Sequence, residues 1–462
     1  MTSASNRFFL PWVVAIVAGF AVSAQPAPRR LTLEDAINRA LLANRGLAEA
    51  GDQVRRVQFS TVAANAEFEL KLFPGANAEV TDVQENVGAG IALQKKFPVG
   101  TQARVEPAIR RIGDFYSAGV DLSLNQPLLR GVKREFNLSG VYGAQFADRS
   151  AGRSLYLTQV STVLDTVTAT YEVIRQRELV SLHEESEHRL RGHAAAARTK
   201  EKIGLASSID TYRATIELKQ AEDDLTTARE AFGDSLDDLK LILALPLEDE
   251  IEVDAPLAPD LARMAEDEAI AVALENRVEL DQAADTIGEV ERQSRVAKHN
   301  TLPDLNLVLN YSRFGFGDNL GDSTTLDQDT WGIGLETRTD VARTVERAAY
   351  GQSLIAVGSA RRSESLQRDE IVRQVKRELR SLDRSEQRMT IQQEKGEQAK
   401  GQLELARIKF KHGLADNFDL IDAETELRRA QVDRISARID YLLGTYRLRA
   451  TLGTLLERPE TF

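Results

Sequence analysis

KEKIGLASSIDTYRATIELKQAEDDL, residues Lys200 to Leu225, returns later in the same chain as KFKHGLADNFDLIDAETELRRAQVDR, residues Lys409 to Arg434. Both stretches carry Gly-Leu-Ala, an Asp six residues after the Gly, and the run Ala-x-x-Glu-Leu-x-x-Ala. Slid over each other without a gap, Ala197 to Arg229 and Ala406 to Arg438 agree at 15 of 33 positions. Composition alone would give roughly two or three such agreements. The chain is an internal duplication, and its 462 residues are read as two copies of one large unit, residues 25–258 and 259–462, instead of the three domains that length alone suggests.

Each copy opens on a helical pattern, LTLEDAINRALLANRGL from Leu31 and AEDEAIAVALENRVEL from Ala265. Ala36, Ile37, Ala40 and Leu41 share one face of the first, and Ala269, Ile270, Ala273 and Leu274 share one face of the second. A period of two then takes over. Phe68, Leu70 and Leu72 alternate with Glu69 and Lys71, and Val120, Leu122 and Leu124 alternate with Asp121, Ser123 and Asn125. Leu305, Leu307, Leu309 and Tyr311, then Trp331, Ile333 and Leu335, repeat the pattern in the second copy. Strands with one apolar face are expected over 68–126 and 302–337. The stretch Gly88 to Glu106, GAGIALQKKFPVGTQARVE, reads as additional strand and leaves open whether the first copy holds an extra hairpin. Phe314 to Thr330, Gly-rich and acidic, reads as a surface loop.

Helical sequence follows each strand region, from about Ser139 to Ile203 and from about Val341 to His412, rods of roughly 100 Å at 1.5 Å per residue. Shorter helices return from about Ser208 to Leu245 and from about Phe418 to Leu452. One return helix and one opening helix together match a long rod, the sum a bundle needs if shorter helices stack end to end beside it. Ala214, Leu218, Ala221, Leu225, Ala228, Phe232, Ser235, Leu239 and Ile242 form a heptad seam suited to close coiled-coil packing. The repeated stretch lies where each rod turns back. A reversing helix needs a residue free to take positive φ, supplied by Gly204 and Gly413. Ser207 or Ser208, and Asp416 or Asn417, suit the N-cap of the helix that returns. Residues 203–208 and 412–417 are therefore hairpin tips.

The N-terminus, MTSASNRFFLPWVVAIVAGFAVSAQ, has a charged start at Arg7, an apolar run from Phe8 to Val22, and small residues Val22-Ser23-Ala24 before Gln25. That layout predicts a cleaved secretory signal over residues 1–24 and an exported protein. The formal charge is −12 and there is no Cys. Disulfides, thiolate zinc sites and cysteine nucleophiles are excluded together, and without a basic stripe nucleic acid is not an expected partner. His183-Glu184-Glu185-Ser186-Glu187-His188 fails as a metallopeptidase motif, because ligands sharing a face stand four apart and these His stand five apart. Gly88-Ala89-Gly90 lacks the third Gly of a dinucleotide loop. No catalytic constellation, metal site or cofactor is expected.

In order and duplication these features resemble the TolC family of outer-membrane channels. The resemblance rests on LTLEDAINRALLAN, the strand-to-helix junction Asn125-Gln126-Pro127-Leu128-Leu129-Arg130-Gly131, both Gly-Leu-Ala tips, and LILALPLE at Leu241 to Glu248. The second copy departs from it, with Glu336-Thr337-Arg338-Thr339 where the Gln-Pro junction would fall. The resemblance implies a mainly α fold with a membrane β-barrel portion, built from a duplicated helix, strand, strand, long helical hairpin unit. Three protomers would give four strands each to one barrel in outer-membrane lipid, continued by a periplasmic α-helical barrel. It implies an exit duct for efflux or type I secretion, with a periplasmic adaptor and an inner-membrane transporter of RND or ABC type as partners. Gly204, Leu205, Ala206, Ser207, Gly413, Leu414, Ala415 and Asp416 would be the adaptor-docking tips. Asp419 and Asp422 would be the acidic pore constriction. Spacing of three also suits both acids to a helix start, where carboxylates favour the positive end of the dipole. A periplasmic coiled-coil scaffold or adaptor without a pore is the competing reading, and it leaves the one-faced strands unexplained.

Overall fold

The computed structural model describes residues 29–81, 85–204, 206–257, 264–412 and 414–459; the expected signal segment 1–24, Leu205 and Gly413 lie outside them. The first copy runs β1 (Arg29–Thr32), α1 (Leu33–Ala43), α2 (Arg45–Ala66), β2 (Leu70–Val80), β3 (Glu85–Lys96), β4 (Gln102–Ile112), β5 (Phe115–Pro127), α3 (Arg134–Asn137), α4 (Ser139–Lys202) and α5 (Ser208–Ile242). The second runs β6 (Ile251–Asp254), α6 (Glu266–Asn276), α7 (Val278–Asn300), β7 (Asn306–Gly317), α8 (Leu320–Ser323), β8 (Gln328–Glu336), α9 (Thr344–Lys411) and α10 (Asn417–Leu452). Of the described residues, 66% are helical. Among the described residues no helix is long and apolar enough to cross a membrane.

Each opening helix is broken once, at equivalent places. Asn44 leaves helical geometry at ψ 128° and accepts the Leu47 N–H, and Arg277 does the same at ψ 110° without a side-chain cap. The breaks let the shorter helices stack end to end. The Asn44 amide and the Arg39 guanidinium donate to the carbonyls of Ile242 and Leu243 where α5 ends, and Arg277 donates to the Thr451 carbonyl where α10 ends. Beside these stacks lie α4 and α9, 64 and 68 residues long. In cross-section the chain presents four helices at the sheet end (α2, α4, α7, α9) and four at the far end (α4, α5, α9, α10).

The heptad seam of α5 is buried at Ala214, Leu218, Ala221, Ala228, Ser235 and Leu239, its first three residues packing against Leu190, Ala194 and Ala197 of α4. Its counterpart sets Leu420, Ala423, Leu427 and Ala430 against Ala399, Leu403 and Ala406. The largest core lies midway, around Tyr171, Ile174, Leu239, Leu243, Ile439 and Leu442. There the parallel pair β1 and β6 (Arg29↔Ile251 to Thr32↔Asp254) straps the bundle.

The sheet differs from the two strands per copy that the resemblance implies. It has six antiparallel strands, in the order β2-β3-β4-β5-β7-β8, four from the first copy and two from the second. Gly88 to Glu106 is part of an additional hairpin, inside β3 and β4. Phe314 to Thr330 is only partly loop, since β7 continues to Gly317, α8 fills the middle and β8 starts at Gln328. The loop leans back onto β7, where a side chain on Gly315 would come within 2.5 Å of the Ser323 carbonyl oxygen.

Candidate functional site

The tips are built from the backbone outward. α4 ends where Gly204 takes φ +75°, the left-handed conformation that costs glycine little. Ser207 then accepts the Asp210 N–H, and the Asp210 carboxylate accepts the Ser207 N–H and hydroxyl, a capping box that starts α5. In the second tip the Leu414 N–H reaches back to the Lys409 carbonyl at 2.8 Å. Asp416 caps α10, and Asp419 closes the capping box by accepting the Asp416 N–H at 3.3 Å. Of the other expected tip residues, Ala206 and Ala415 are half-buried. Leu414 is 77% exposed and stands in an apolar group at the rod ends with Ile203, Ile209, Tyr212 and Phe418, all more than half exposed. Asp419 and Asp422 are both exposed in the single chain, one helical turn apart on α10. Asp419 thus has a structural task, holding the helix start, and is exposed like Asp422.

Behind the tips the two hairpins of the chain are joined by polar contacts. Glu424 on α10, its side chain 8% exposed, accepts Arg189 of α4 at 3.0 Å and Arg407 of α9 at 2.6 Å. Arg428 of α10 pairs with Asp224 of α5. Buried Asn417 donates to the Asp210 carbonyl at 2.9 Å and meets the His193 ring of α4. His193 packs edge-on against Phe410, whose face also carries the Lys200 ammonium at 3.8 Å. Burial pushes His193 below its ordinary pKa, opposed by the Asn417 hydrogen bond and the nearby Glu424.

Sequence reasoning missed these joints. Their signal lies where the copies disagree: Asn417, Glu424 and Arg428 stand at the places held in the first copy by Ser208, Thr215 and Lys219. The equivalent pair in the first copy is the 3.5 Å contact of Arg198 with the Thr215 hydroxyl, a neutral acceptor in place of a carboxylate. Of the rejected His motif, Glu184 pairs with Arg229 at 2.7 Å, Glu187 pairs with Arg191, and His183 is held below its ordinary pKa by burial and by Arg428.

The sheet has two chemically distinct faces. One row of directly paired residues crosses all six strands as Leu72, Leu93, Val105, Leu122, Tyr311 and Trp331. The adjacent row, on the opposite face, reads Lys71, Gln94, Arg104, Ser123, Asn310 and Gly332. One mainly apolar and one mainly polar face, with Phe73, Phe314 and Phe316 as apolar residues on the polar side, on strands of 9 to 13 residues are the pattern of a membrane barrel wall.

Long paired helical hairpins hanging from such a sheet define the fold of barrel-and-duct membrane proteins. Residues 269–454 match the model of the outer membrane efflux protein family. Among solved structures, the Campylobacter jejuni CmeC outer membrane channel is similar at TM-score 0.72 and 13% identity, over 93% of this chain and 87% of that one. The Vibrio cholerae outer membrane protein VceC is similar at TM-score 0.71 and 14% identity, over 91% and 96%. The open state of the Neisseria gonorrhoeae MtrE outer membrane channel is similar at TM-score 0.68 and 15% identity, over 92% and 89%. A comparison with curated proteins gave no match. Residues 269–454 are therefore similar to an outer membrane efflux protein domain, and the chain as a whole shares the fold of these outer membrane channels.

Proposed function

We propose that the protein is the outer-membrane exit duct of a tripartite efflux or type I secretion system, exported on a cleaved signal and assembled as a homotrimer. The observation that carries this reading is the six-stranded sheet with one apolar face and two unpaired edges, β2 and β8. An open edge leaves N–H and C=O groups that lipid cannot satisfy, so a sheet in a membrane must close with further copies. The helical hairpins then continue the barrel into the periplasm. The exposed apolar residues at the rod ends, Ile203, Ile209, Tyr212, Leu414 and Phe418, suit docking to a periplasmic adaptor, which an inner-membrane transporter of RND or ABC type would energise. Asp419 and Asp422 would ring the narrow periplasmic entrance, three copies of each. No step of this work needs catalysis. A pore-free periplasmic scaffold is disfavoured by the same apolar sheet face, which it would leave in water.

Membrane fractionation with crosslinking, followed by export measurements on the Leu205→Glu, Leu414→Glu double variant, tests the reading. Trimers in the outer membrane are expected for both proteins, with export lost in the variant. A soluble periplasmic monomer would refute the duct, and unchanged export would refute docking through the tips.

A further inference from the structure

The additional hairpin β3–β4 can be wall, plug or surface ornament, and its pattern decides among them. Leu93 and Val105 lie in the same apolar row as Leu72, Leu122, Tyr311 and Trp331 of the other four strands, while Gln94 and Arg104 lie in the same polar row as Lys71, Ser123 and Asn310. Both neighbours of the hairpin pair with it along its length, from Leu70↔Lys95 to Val80↔Glu85 on one side and from Gln102↔Asn125 to Ile112↔Phe115 on the other. A plug would have a polar surface all round and would not separate β2 from β5.

Width gives a second, independent reason. Strands about 4.8 Å apart and tilted by about 40° each take about 6.3 Å of a barrel's perimeter. Six strands per chain therefore span about 38 Å of perimeter, where four would span about 25 Å. The four helices each chain presents in cross-section, at 8–10 Å between axes, span about 32–40 Å. Six strands match the helical wall below them in width. An even number also keeps the edges compatible: β2 and β8 run in opposite directions, so β8 of one copy meets β2 of the next antiparallel.

We propose that the assembled channel crosses the outer membrane as an eighteen-stranded barrel, six strands from each of three chains, with a bore as wide as its helical duct. This rests on the trimeric-duct reading. The backbone diameter is about 36 Å, against about 24 Å for a twelve-stranded ring of the same tilt. With side chains lining the interior, the bore clears about 25 Å instead of about 13 Å. The cargo class is correspondingly bulky, limited by the periplasmic entrance and not by the barrel.

The chain has no Cys, so single cysteines report cleanly on the full-length protein in outer-membrane vesicles. Crosslinking first establishes trimers; their absence would sink the duct reading itself. In trimers, a small membrane-impermeant maleimide should label Gln94→Cys and Arg104→Cys at least about tenfold faster than Leu93→Cys and Val105→Cys, water facing one pair and hydrocarbon the other. A maleimide on a polymer about 20 Å across, added from outside, should also reach Arg104→Cys near the periplasmic end of the wall, since an eighteen-stranded bore admits it and a twelve-stranded one does not. Equal labelling of both pairs in intact trimers, or exclusion of the bulky reagent, would overturn the eighteen-stranded barrel and leave the trimeric duct standing.

Discussion

Asp224 and Arg428 offer the sharpest test of how the entrance is held. They pair between α5 of one hairpin and α10 of the other, with side chains 24% and 17% exposed. Apart from Glu424 and Asn417, few polar groups bridge the hairpins so near the tips. Removing one partner of a fully buried pair costs 3–5 kcal/mol, and an exposed pair contributes less than about 1 kcal/mol. A pair one-fifth exposed falls between, at about 2 kcal/mol per chain, or about thirtyfold in the balance between joined and separated hairpins. Asp224→Asn and Arg428→Gln should each raise the fraction of time that trimers spend conducting in a planar bilayer by about that factor. The swap Asp224→Arg, Arg428→Asp should recover part of the closed behaviour, because the pair is restored with its polarity reversed. Parent-level conduction in both single variants, with trimers intact, would refute the role of this joint in closing the entrance. Failure of the swap to recover anything would show that the singles act through packing.

The other joints and the acidic turn give further expectations. On the proposed trimer, Asp419→Asn with Asp422→Asn should abolish cation preference and block by multivalent cations from the periplasmic side in single-channel recordings, since the proposed ring of six carboxylates would attract cations strongly; selectivity identical to the parent would return both acids to the helix start. His193, held below its ordinary pKa of 6.5 by burial, binds fewer protons folded than unfolded, so its contribution to stability is intact above about pH 6.5 and is lost as the pH falls toward the folded value. Thermal dissociation of trimers should therefore show an acid-side loss, between pH 7.5 and 5.5, that is smaller in His193→Gln; the groups around the ring are Asn417, Glu424, Lys200 and Arg407, and an identical acid response in both proteins would count against His193 as its source.

Much of this architecture was legible because it repeats. The long helices were placed to within a few residues, since the Gly-Leu-Ala element marks both reversals and the heptad from Ala214 to Ile242 marks the face that packs. The faces of β2, β5, β7 and β8 were legible too, because a period of two survives wherever one side meets an apolar phase. What escaped was counting. Gly88 to Glu106 holds a turn at Phe97-Pro98-Val99-Gly100, where Gly100 takes φ +88° and its N–H reaches the Phe97 carbonyl at 2.8 Å, but the small residues Gly90, Ala92 and Ala108 and the interruption of the ladder at Pro107 blur the strands on either side of it. The breaks at Asn44 and Arg277 escaped for a related reason: each helix resumes at the next residue with its apolar period unbroken, and only end-to-end contact with α5 or α10 requires the bend.

The joints behind the tips could not be read from either repeat alone, for a physical reason that also bears on how the duct works. A duplication makes two hairpins alike, and alike hairpins have no preferred partner. Specific docking of one on the other needs residues that differ between them, and Asn417, Glu424 and Arg428 are such residues, each reaching from the second hairpin to the first. Their partners Arg189 and Asp224 are ordinary helix-surface charges until the second hairpin arrives. Polar joints suit an interface that must separate, because water can replace each hydrogen bond when the hairpins part, whereas an apolar seam like Leu190, Ala194 and Ala197 against Ala214, Leu218 and Ala221 loses its stabilisation outright on exposure. The chain accordingly places apolar seams within each hairpin and charged contacts between them near the tips, an arrangement in which the hairpins could part as rigid rods without unzipping either one.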